Sequence, residues 1–317
     1  MKYIFIVNAF SGDGEHLSVI LDIEEAFISS GRQDSFITEY ITKAEEARTL
    51  AAAYSGKYGS GCVIFVCGDD ETVHETAAAL AYTDTAMGVI PIDGIWGDFA
   101  SKVYDSKTAA VTAAEELGLL SGSPKFKVRR IDMGRCNGEY FLNTVTMGLD
   151  GAAAEIAGKL PEKLSAVSDK LGFAAAVLKD KKYKLNASLH MVKVINGRLR
   201  RFTVSREMDF TFAAVTNTGY SCGNCPSQFS VLNDGVFEML LVLPCNFAQV
   251  FALLPMYKKG AADAAGSVKL LTVRGAEFSA PDDSEFIICV DGVYKSVRSV
   301  NISVEKRALK ICTSIFR

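Results

Sequence analysis

Residues 63–80 read VIFVCGDDETVHETAAAL, an apolar run followed by an acidic turn and an amphipathic stretch. The apolar run predicts a buried β-strand, and the stretch after the turn predicts an α-helix. A strand, tight turn and helix of this kind usually offers backbone N–H groups to a nucleotide phosphate. This turn instead carries Asp69, Asp70 and Glu71, so its side chains repel the ligand that its backbone favours.

Strand and helix patterns alternate on both sides of this segment, through about the first 120 residues. KYIFIV, SFITEYI, CVIFVC and MGVIPI are typical of strands, and longer helical stretches separate them. This alternation predicts an open α/β domain with a parallel sheet, which we place at residues 1–124. Such sheets bind ligands at the carboxyl ends of their strands. The turns NAFSGDG, GDDET and IDGIWGDFA therefore converge on one crevice.

The pattern changes at about residue 126 to short strand-like runs separated by Gly, Asn and Asp turns. This predicts an antiparallel β-sandwich or barrel over residues 125–302, with the segment 303–317 joining the α/β domain. One helical insert is predicted from about Glu155 to Lys182, with a basic end at Lys179, Lys181 and Lys182.

Composition and charge narrow the class of protein. The 317 residues are 49% hydrophobic and 22% charged, which indicates a globular protein with two domains. A net charge of -3 argues against a nucleic-acid partner. The apolar stretch from Met239 to Met256 contains two prolines, so it predicts a strand followed by a helix rather than a membrane span.

The amino terminus lacks the pattern of a signal peptide, so we expect a cytoplasmic protein. Any membrane contact is expected to be peripheral, at the inner membrane face. The basic residues of 179–184 could make that contact or form a solvated helix end. A homodimer is compatible with the sequence, which does not decide the oligomeric state.

The eight cysteines are scattered, mostly in apolar runs where a thiol packs as a small hydrophobe. Cys222 and Cys225 have the spacing of a zinc or redox pair. No second pair or nearby histidine completes four ligands, so we favour a structural role over a metal site.

Several segments, in order along the chain, resemble motifs of the diacylglycerol-kinase-type lipid kinases, which include the sphingosine and ceramide kinases and bacterial lipid kinases. NAFSGDG resembles the family's NPxSGxG loop, GDDETVHETAAAL resembles GGDGTxxExxxGL, and GVIPIDGIWGDFA resembles PxGTxNDFA. Farther along, FLNTVTMGLDG, VLNDGVFEM and VDGVYK resemble segments of the family's β-rich domain. The shared order is more specific than any single motif.

The resemblance implies a phosphofructokinase- or NAD-kinase-like α/β domain followed by a β-sandwich lipid-substrate domain. It also implies transfer of the γ-phosphoryl group of ATP, with Mg²⁺, to a lipid hydroxyl such as that of diacylglycerol. Such chemistry depends mainly on positioning and charge stabilisation. The nucleotide-binding positions that it implies are Asn8, Ser11, Gly12, Thr38, Gly68, Asp70, Thr72, Glu75 and Asp98. Ser11 and Gly12 would serve equally well as an ordinary helix cap.

The chain departs from the family pattern at positions that matter for catalysis. Asp69 and Glu71 replace two glycines of the nucleotide loop. A carboxylate about 4 Å from a phosphate oxygen is repelled by roughly 4 kcal/mol at an effective dielectric near 20. The third loop is one residue longer than in the family and contains Trp96, which could pack under the loop or stack on a ligand.

The family's general base maps to Val293, which cannot accept a proton. Loss of such a base typically costs about 10²- to 10⁴-fold in rate. Asp291 or a water molecule would then have to substitute. The same residues also suit a plain hairpin turn.

A structural Mg²⁺ site is implied at Asp234, with the backbone carbonyls of Val231 and Val236. An Asn-Asp-Gly turn forms without metal, and we weigh the two interpretations equally.

Three hypotheses remain. The first is an ATP-dependent lipid kinase, whose activity we predict to be weakened or lost through Asp69, Glu71 and Val293. The alternative is a pseudokinase that binds a lipid, a nucleotide or a protein. An NAD-kinase relative is disfavoured because it leaves NAFSGDG and FLNTVTMG unexplained.

Overall fold

The computed structural model of the protein divides into two compact units. The first comprises Met1–Met133 and Lys306–Arg317, and the second comprises Gly134–Glu305. The two boundaries fall within strands β5 (Phe126–Cys136) and β15 (Ser299–Ser314). The structure describes residues 1–12, 14–92, 98–104, 109–157, 183–220, 225 and 227–314.

A parallel sheet forms the centre of the first unit. This sheet contains β1 (Lys2–Asn8), β2 (Phe36–Ile41), β3 (Cys62–Cys67), β4 (Ala86–Ile90) and the end of β15. Strand β1 lies between β2 and β3, β3 pairs with β4, and the end of β15 pairs with β4. Every residue of β3 and β4 is buried. Burial on both faces explains why their sequences are continuous apolar runs, and the predicted α/β class is confirmed.

Helices in the first unit cover the sheet. They are α1 (Glu15–Ser29), α2 (Ala44–Tyr58), α3 (Asp70–Leu80), α4 (Asp98–Val103) and α5 (Ala110–Glu116). Helix α1 buries Ile20, Ile23 and Phe27, whose spacing of three and four residues places them on one face. Phe27 packs edge-on against Phe5, which stacks on Phe65 at 5.3 Å. These aromatic contacts join α1 to β1 and β3.

The second unit is an antiparallel, strand-rich structure, as the sequence predicts. Its strands pair in the order β14-β13-β7-β10-β11-β12-β15, while β8 pairs with β12 and β9, and β6 pairs with β5. Their bounds are β6 (Glu139–Phe141), β7 (Thr144–Gly148), β8 (Tyr183–Ile195), β9 (Arg198–Phe210), β10 (Phe212–Thr216), β11 (Phe237–Val242), β12 (Val268–Ser279), β13 (Phe286–Val290) and β14 (Val293–Val297).

Strand β12 changes partners along its length. Residues 268–273 pair with β11, whereas residues 275–279 lie between β15 and β8. The register shifts between Val273 and Gly275. A Cβ atom at Gly275 would lie 2.6 Å from the carbonyl oxygen of Ile302, so only glycine allows this close approach of β15.

Two helices of the second unit are described, α6 (Leu149–Ala157) and α7 (Phe247–Lys258). Strand β11 followed by α7 confirms the prediction for Met239–Met256. Asn246 caps α7 by accepting a hydrogen bond from the Gln249 amide. The predicted insert extends beyond α6 into residues 158–182, which lie outside the described part of the chain. Among the described residues, no helix has the length and apolar character that crossing a bilayer requires.

Candidate functional site

The turns that follow β1 and β3 meet at the side chain of Thr72. Its hydroxyl accepts a hydrogen bond from Asn8 Nδ2 at 2.9 Å and donates one to Asp69 Oδ1 at 2.7 Å. Thr72 is fully buried and Asn8 nearly so. Because buried polar atoms need partners, these two bonds hold the ends of β1 and β3 in one arrangement. The structure thus brings together two of the predicted nucleotide residues, Asn8 and Thr72.

Asp69 caps helix α3. Its Oδ1 accepts from the Thr72 backbone amide at 2.9 Å, in addition to the Thr72 hydroxyl, and its Oδ2 accepts from Ser11 Oγ at 3.0 Å. The Asp69 backbone is extended, as an N-cap residue requires. Asp69, which the resemblance aligns with a glycine, therefore places a carboxylate on the amino-terminal N–H groups of α3. These N–H groups are the ones on which a phosphate would bind in such a turn.

The turn after β1 retains the backbone freedom that its glycines allow. Gly12 and Gly14 have φ values of 71° and 90°, and Gly14 precedes α1 without a side-chain cap. Asn8 Oδ1 accepts from the Phe10 amide at 3.2 Å, and the Asn8 carbonyl contacts His16 Nε2 at 3.1 Å. Ser11 is buried and its hydroxyl donates to Asp69. Asn8 and Ser11 therefore both make protein contacts in this turn.

Gly68 is required by the close approach of Thr72. A Cβ atom at position 68 would lie 2.5 Å from Thr72 Cβ and 2.8 Å from its hydroxyl oxygen. The backbone at Gly68 does not have positive φ, so the reason for glycine here is space and not conformation. Gly68 keeps room for the threonine that links the two turns.

Asp70 connects the turn after β3 to helix α4. Its Oδ2 accepts from the backbone amide of Asp98 at 2.9 Å. Asp98 itself is buried. The structure thus brings the predicted residues Asp70 and Asp98 into contact. Residues 93–97, including Trp96, lie outside the described part of the chain.

The charge around α3 is strongly negative. Burial raises the pKa of Glu71, and the neighbouring carboxylates Asp69, Glu45 and Glu75 raise it further. Glu75 forms an ion pair with Arg48 at 2.5 Å. A raised pKa means that the surroundings of Glu71 disfavour its negatively charged form. An added phosphate would meet the same opposition.

Thr38 lies apart from this network. It stands in the middle of β2, opposite Phe5 in the pairing with β1. Its buried hydroxyl has no hydrogen-bond partner among the residues that the structure describes. The structure therefore does not join Thr38 to the contacts around Thr72.

These contacts decide whether the start of α3 can bind a phosphate group of ATP. The first-turn amide of Thr72 is already bonded to a carboxylate, and Asp69, Asp70 and Glu71 add negative charge at the same helix end. Such a helix end favours one anion, and Asp69 already supplies it. The residues present do not fit a phosphate group bound on the amino terminus of α3.

Asp291 in the second unit is held by the backbone of a neighbouring segment. Its Oδ2 accepts from the Leu142 amide at 2.6 Å, and its Oδ1 accepts from the amides of Asn143 and Thr144 at 2.9 and 2.8 Å. Its own amide donates to the Thr144 carbonyl, and its φ is 46°. Both carboxylate oxygens thus stabilise the entry to β7, and the part of Asp291 as a substitute base stays a prediction.

Val293 is the first residue of β14 and is half exposed.

Asp234 caps its own turn. Its Oδ1 accepts from the Val236 amide at 3.1 Å, the contact expected of an Asn-Asp-Gly turn. Val231 is exposed. In the described part of the chain, no group of three or more His, Cys, Asp or Glu side chains is arranged to hold a metal ion. The Mg²⁺ site at these positions stays a prediction, and Cys222 lies outside the described residues.

Glu238, two residues beyond this turn, is an unusual carboxylate for a β-strand. Burial raises its pKa to about 7, with a further contribution from Asp234, while a hydrogen bond from Thr272 lowers it. The sequence reasoning did not single out Glu238. Its position in a strand of otherwise apolar residues, FEMLLV, is the signal that could have found it.

The family model described as the diacylglycerol kinase catalytic domain matches residues 2–136, which include every contact described above around Thr72. This segment of the chain is therefore similar to the diacylglycerol kinase catalytic domain. A diacylglycerol kinase of Bacillus subtilis strain 168 is 28% identical over 203 residues, which are 62% of this chain and 60% of that enzyme.

Solved structures share the fold of this chain over nearly its full length. A crystal structure of a proposed diacylglycerol kinase from Bacillus anthracis strain Sterne has a TM-score of 0.73 at 17% identity, covering 98% of this chain and 94% of the other. A second structure of a diacylglycerol kinase from that strain has a TM-score of 0.66 at 15% identity, covering 98% and 96%. At these identities the likeness establishes the fold alone.

The matched family is one of kinases, which suggests the use of ATP and Mg²⁺. The structure adds a role that sequence reasoning missed, the cap formed by Asp69. An Asp placed directly before a helical pattern is a recognised N-cap signal, so the pattern DDET contained the information. The bond from Ser11 to Asp69 joins residues 58 positions apart and had no local signal.

Proposed function

We propose that this chain is a lipid kinase whose ATP-dependent phosphoryl transfer to a lipid hydroxyl is strongly weakened. The acceptor class is diacylglycerol-like, as the family implies. The observation that carries the proposal is the Asp69 carboxylate, which accepts from the Thr72 amide, the Thr72 hydroxyl and Ser11.

The reason is competition for the same hydrogen-bond donors. A phosphate that bound at the start of α3 would have to displace the Asp69 carboxylate or share its donors. Glu71 stands on the first turn of the same helix, and its pKa is raised first by burial and then by the neighbouring carboxylates. Unscreened by a cation, each carboxylate would oppose a phosphate by roughly 4 kcal/mol at 4 Å in a medium of effective dielectric near 20.

The second candidate function is a non-catalytic pseudokinase that binds a lipid, a nucleotide or a protein. Two features of the second unit favour it. Val293 stands at the position that the resemblance assigns to the general base, and both oxygens of Asp291 are engaged with backbone amides. Three backbone N–H donors hold this carboxylate at the entry to β7.

Calorimetric titration with Mg-ATP, followed by transfer of radiolabelled phosphate to diacylglycerol in mixed micelles, tests the proposal. The Bacillus subtilis diacylglycerol kinase, assayed in parallel, serves as the reference. We expect much weaker ATP binding and at least 10²-fold slower turnover than the reference. Affinity and turnover close to the reference values would overturn the proposal. Measurable ATP binding with no turnover would favour the pseudokinase.

A further inference from the structure

The β8–β9 hairpin of the second unit extends past the strand on which it packs. The two strands pair continuously from Tyr183 opposite Phe210 to Ile195 opposite Arg198. Met191 is the last β8 residue paired with β12. Among the described residues, the segment 192–201 pairs only within the hairpin. We call this segment the basic tip.

Exposed aliphatic side chains stand at the end of the basic tip. Val194 and Leu199 lie directly opposite each other and are 63% and 59% exposed, and Ile195 is 43% exposed. Strands usually place such residues on a buried face, whereas these side chains are exposed to solvent. Contiguous exposed apolar side chains at a projecting end are typical of an interaction surface.

The same segment carries a concentration of positive charge. Residues 188–206 read SLHMVKVINGRLRRFTVSR, with Lys193 and four arginines but no Asp or Glu, in a chain whose net charge is -3. No ion pair of the described residues involves Lys193, Arg198, Arg200 or Arg201. The hairpin's carboxylates lie nearer its base, where Glu207 pairs with Lys184 at 2.8 Å. The cations of the basic tip are therefore available to an anionic partner.

The apolar and cationic residues occupy successive levels of the hairpin. Arg198 opposes Ile195 at the outermost level, the pair of Val194 and Leu199 follows, and Lys193 opposes Arg200 one level farther back. With a rise of about 3.4 Å per residue, the cations lie within a few ångströms of the exposed aliphatic side chains, on both sides of them along the hairpin. This combination matches a bilayer interface, where aliphatic groups enter the acyl region and cations meet the headgroup phosphates.

We propose that the basic tip docks this protein on the surface of an anionic lipid bilayer. The inference does not depend on phosphotransfer, because it concerns a surface of the second unit and requires neither ATP nor turnover. It gives the chain a physical route to a lipid, whether the chain phosphorylates that lipid or only binds it.

A bilayer fits the basic tip better than other anionic or apolar partners. Nucleic acids bind cations through phosphates but leave exposed aliphatic side chains without a complementary surface. A second copy of the hairpin would cover the aliphatic residues but would bring two sets of unpaired cations together. Only an anionic bilayer satisfies both features.

Co-sedimentation with large vesicles, without ATP, tests the proposal. The full chain is mixed with vesicles of phosphatidylcholine alone, or of phosphatidylcholine with 30% phosphatidylglycerol. We expect binding to the anionic vesicles at least tenfold tighter than to the neutral ones, because each cation near such a surface contributes about fivefold in affinity. Equal binding to both vesicle types would overturn the proposal.

Paired variants separate the two features of the basic tip. Lys193→Gln with Arg200→Gln should weaken binding to anionic vesicles about 25-fold and reduce its salt dependence. Val194→Ser with Leu199→Ser should weaken binding at least fivefold without changing the charge. The matched control, Arg32→Gln with Lys258→Gln, removes one arginine and one lysine from exposed sites elsewhere and should change affinity less than twofold.

The remaining outcomes are equally decisive. Variants of the basic tip that keep their thermal unfolding curves and also keep wild-type vesicle binding would overturn the proposal. Sedimentation velocity provides a further arm: a wild-type dimer that Val194→Ser with Leu199→Ser converts to monomer, with vesicle binding unchanged, would assign the surface to a second copy. Binding of a single-stranded 30-mer that the same variants abolish, without vesicle binding, would assign it to nucleic acid.

Discussion

Asp69 and Thr72 form two hydrogen bonds through a single carboxylate oxygen, one from the Thr72 amide at 2.9 Å and one from its hydroxyl at 2.7 Å. The hydroxyl in turn accepts from Asn8, so the cap of α3 also connects β3 to β1. Asp69, which the resemblance aligns with a glycine, is thus the centre of a structural network. Substitutions in this network separate its contribution to stability from its effect on ligand binding.

Replacing Asp69 by alanine should lower the free energy of unfolding by about 1–2 kcal/mol, the usual cost of losing an N-cap. The bond from Ser11 and the bond from the Thr72 hydroxyl are lost at the same time. Urea unfolding followed by circular dichroism measures the change. Asp22→Ala, at an exposed position of α1, is the control and should shift stability by less than 0.5 kcal/mol, as is usual for such surface positions. Equal effects of the two substitutions would contradict the role given to Asp69.

Restoring glycines, as Asp69→Gly with Glu71→Gly, should raise the affinity for Mg-ATP at least tenfold. The change removes two negative charges and frees the amino-terminal N–H groups of α3 for a phosphate. Isothermal titration calorimetry measures the effect. Asp22→Asn with Glu25→Gln removes two exposed carboxylates from α1 and should leave the affinity unchanged. No gain in the glycine variant would mean that these carboxylates do not limit ATP binding.

Gly68→Ala should destabilise the protein by about 2 kcal/mol, since the new methyl group would lie 2.5 Å from Thr72 Cβ. Gly56→Ala is the matched control, because Gly56 is an exposed residue of α2 with no atom near its Cβ position. There the substitution should stabilise by about 0.5–1 kcal/mol through helix propensity. Opposite signs for the two changes in thermal unfolding support the steric argument, and a harmless Gly68→Ala would refute it.

Asp291→Ala should cost about 3 kcal/mol or more, because it leaves three backbone amides at residues 142–144 without their charged acceptor. Asp291→Asn keeps acceptor oxygen and tolerates positive φ, so it should cost roughly half as much. Asp283→Ala has the same kind of backbone, with φ of 59°, in an exposed turn. Asp283→Ala should lose less stability, and that loss measures the backbone strain without the hydrogen bonds. Equal losses of stability in Asp283→Ala and Asp291→Ala would show that strain alone explains the effect.

Asp234→Ala should lower stability by about 0.5–1 kcal/mol, whether or not Mg²⁺ is present. The reason is that the Asp234 side chain caps the Val236 amide. Thermal unfolding in EDTA and in millimolar Mg²⁺ measures this. Asp282→Ala, which removes a similar cap from Ser284, is the comparison. A stabilisation by Mg²⁺ of several degrees in the wild type that vanishes in Asp234→Ala would instead establish the metal site.

Much of the fold could be predicted from the sequence because its signals are local. The apolar run CVIFVC identifies a strand buried on both faces, and the spacing within α1 identifies its buried face. The convergence of the turns after β1 and β3 also follows, since all parallel strands end at one edge of the sheet. The contacts of Asp291 with residues 142–144 could not be predicted, because no local pattern links segments nearly 150 positions apart.

The sequence by itself determined the order of strands and helices, the resemblance to a lipid-kinase family, and the presence of three carboxylates in a turn that usually binds phosphate. These properties depend on side-chain periodicity and residue identity along short stretches. Only the tertiary structure decided what those carboxylates do. The Asp69 carboxylate accepts hydrogen bonds from Thr72 and Ser11, and the Asp70 carboxylate accepts one from the Asp98 amide. These bonds form because folding brings the ends of distant strands within hydrogen-bonding distance. Buried donors at a helix end require an acceptor, and in this chain Asp69 supplies it.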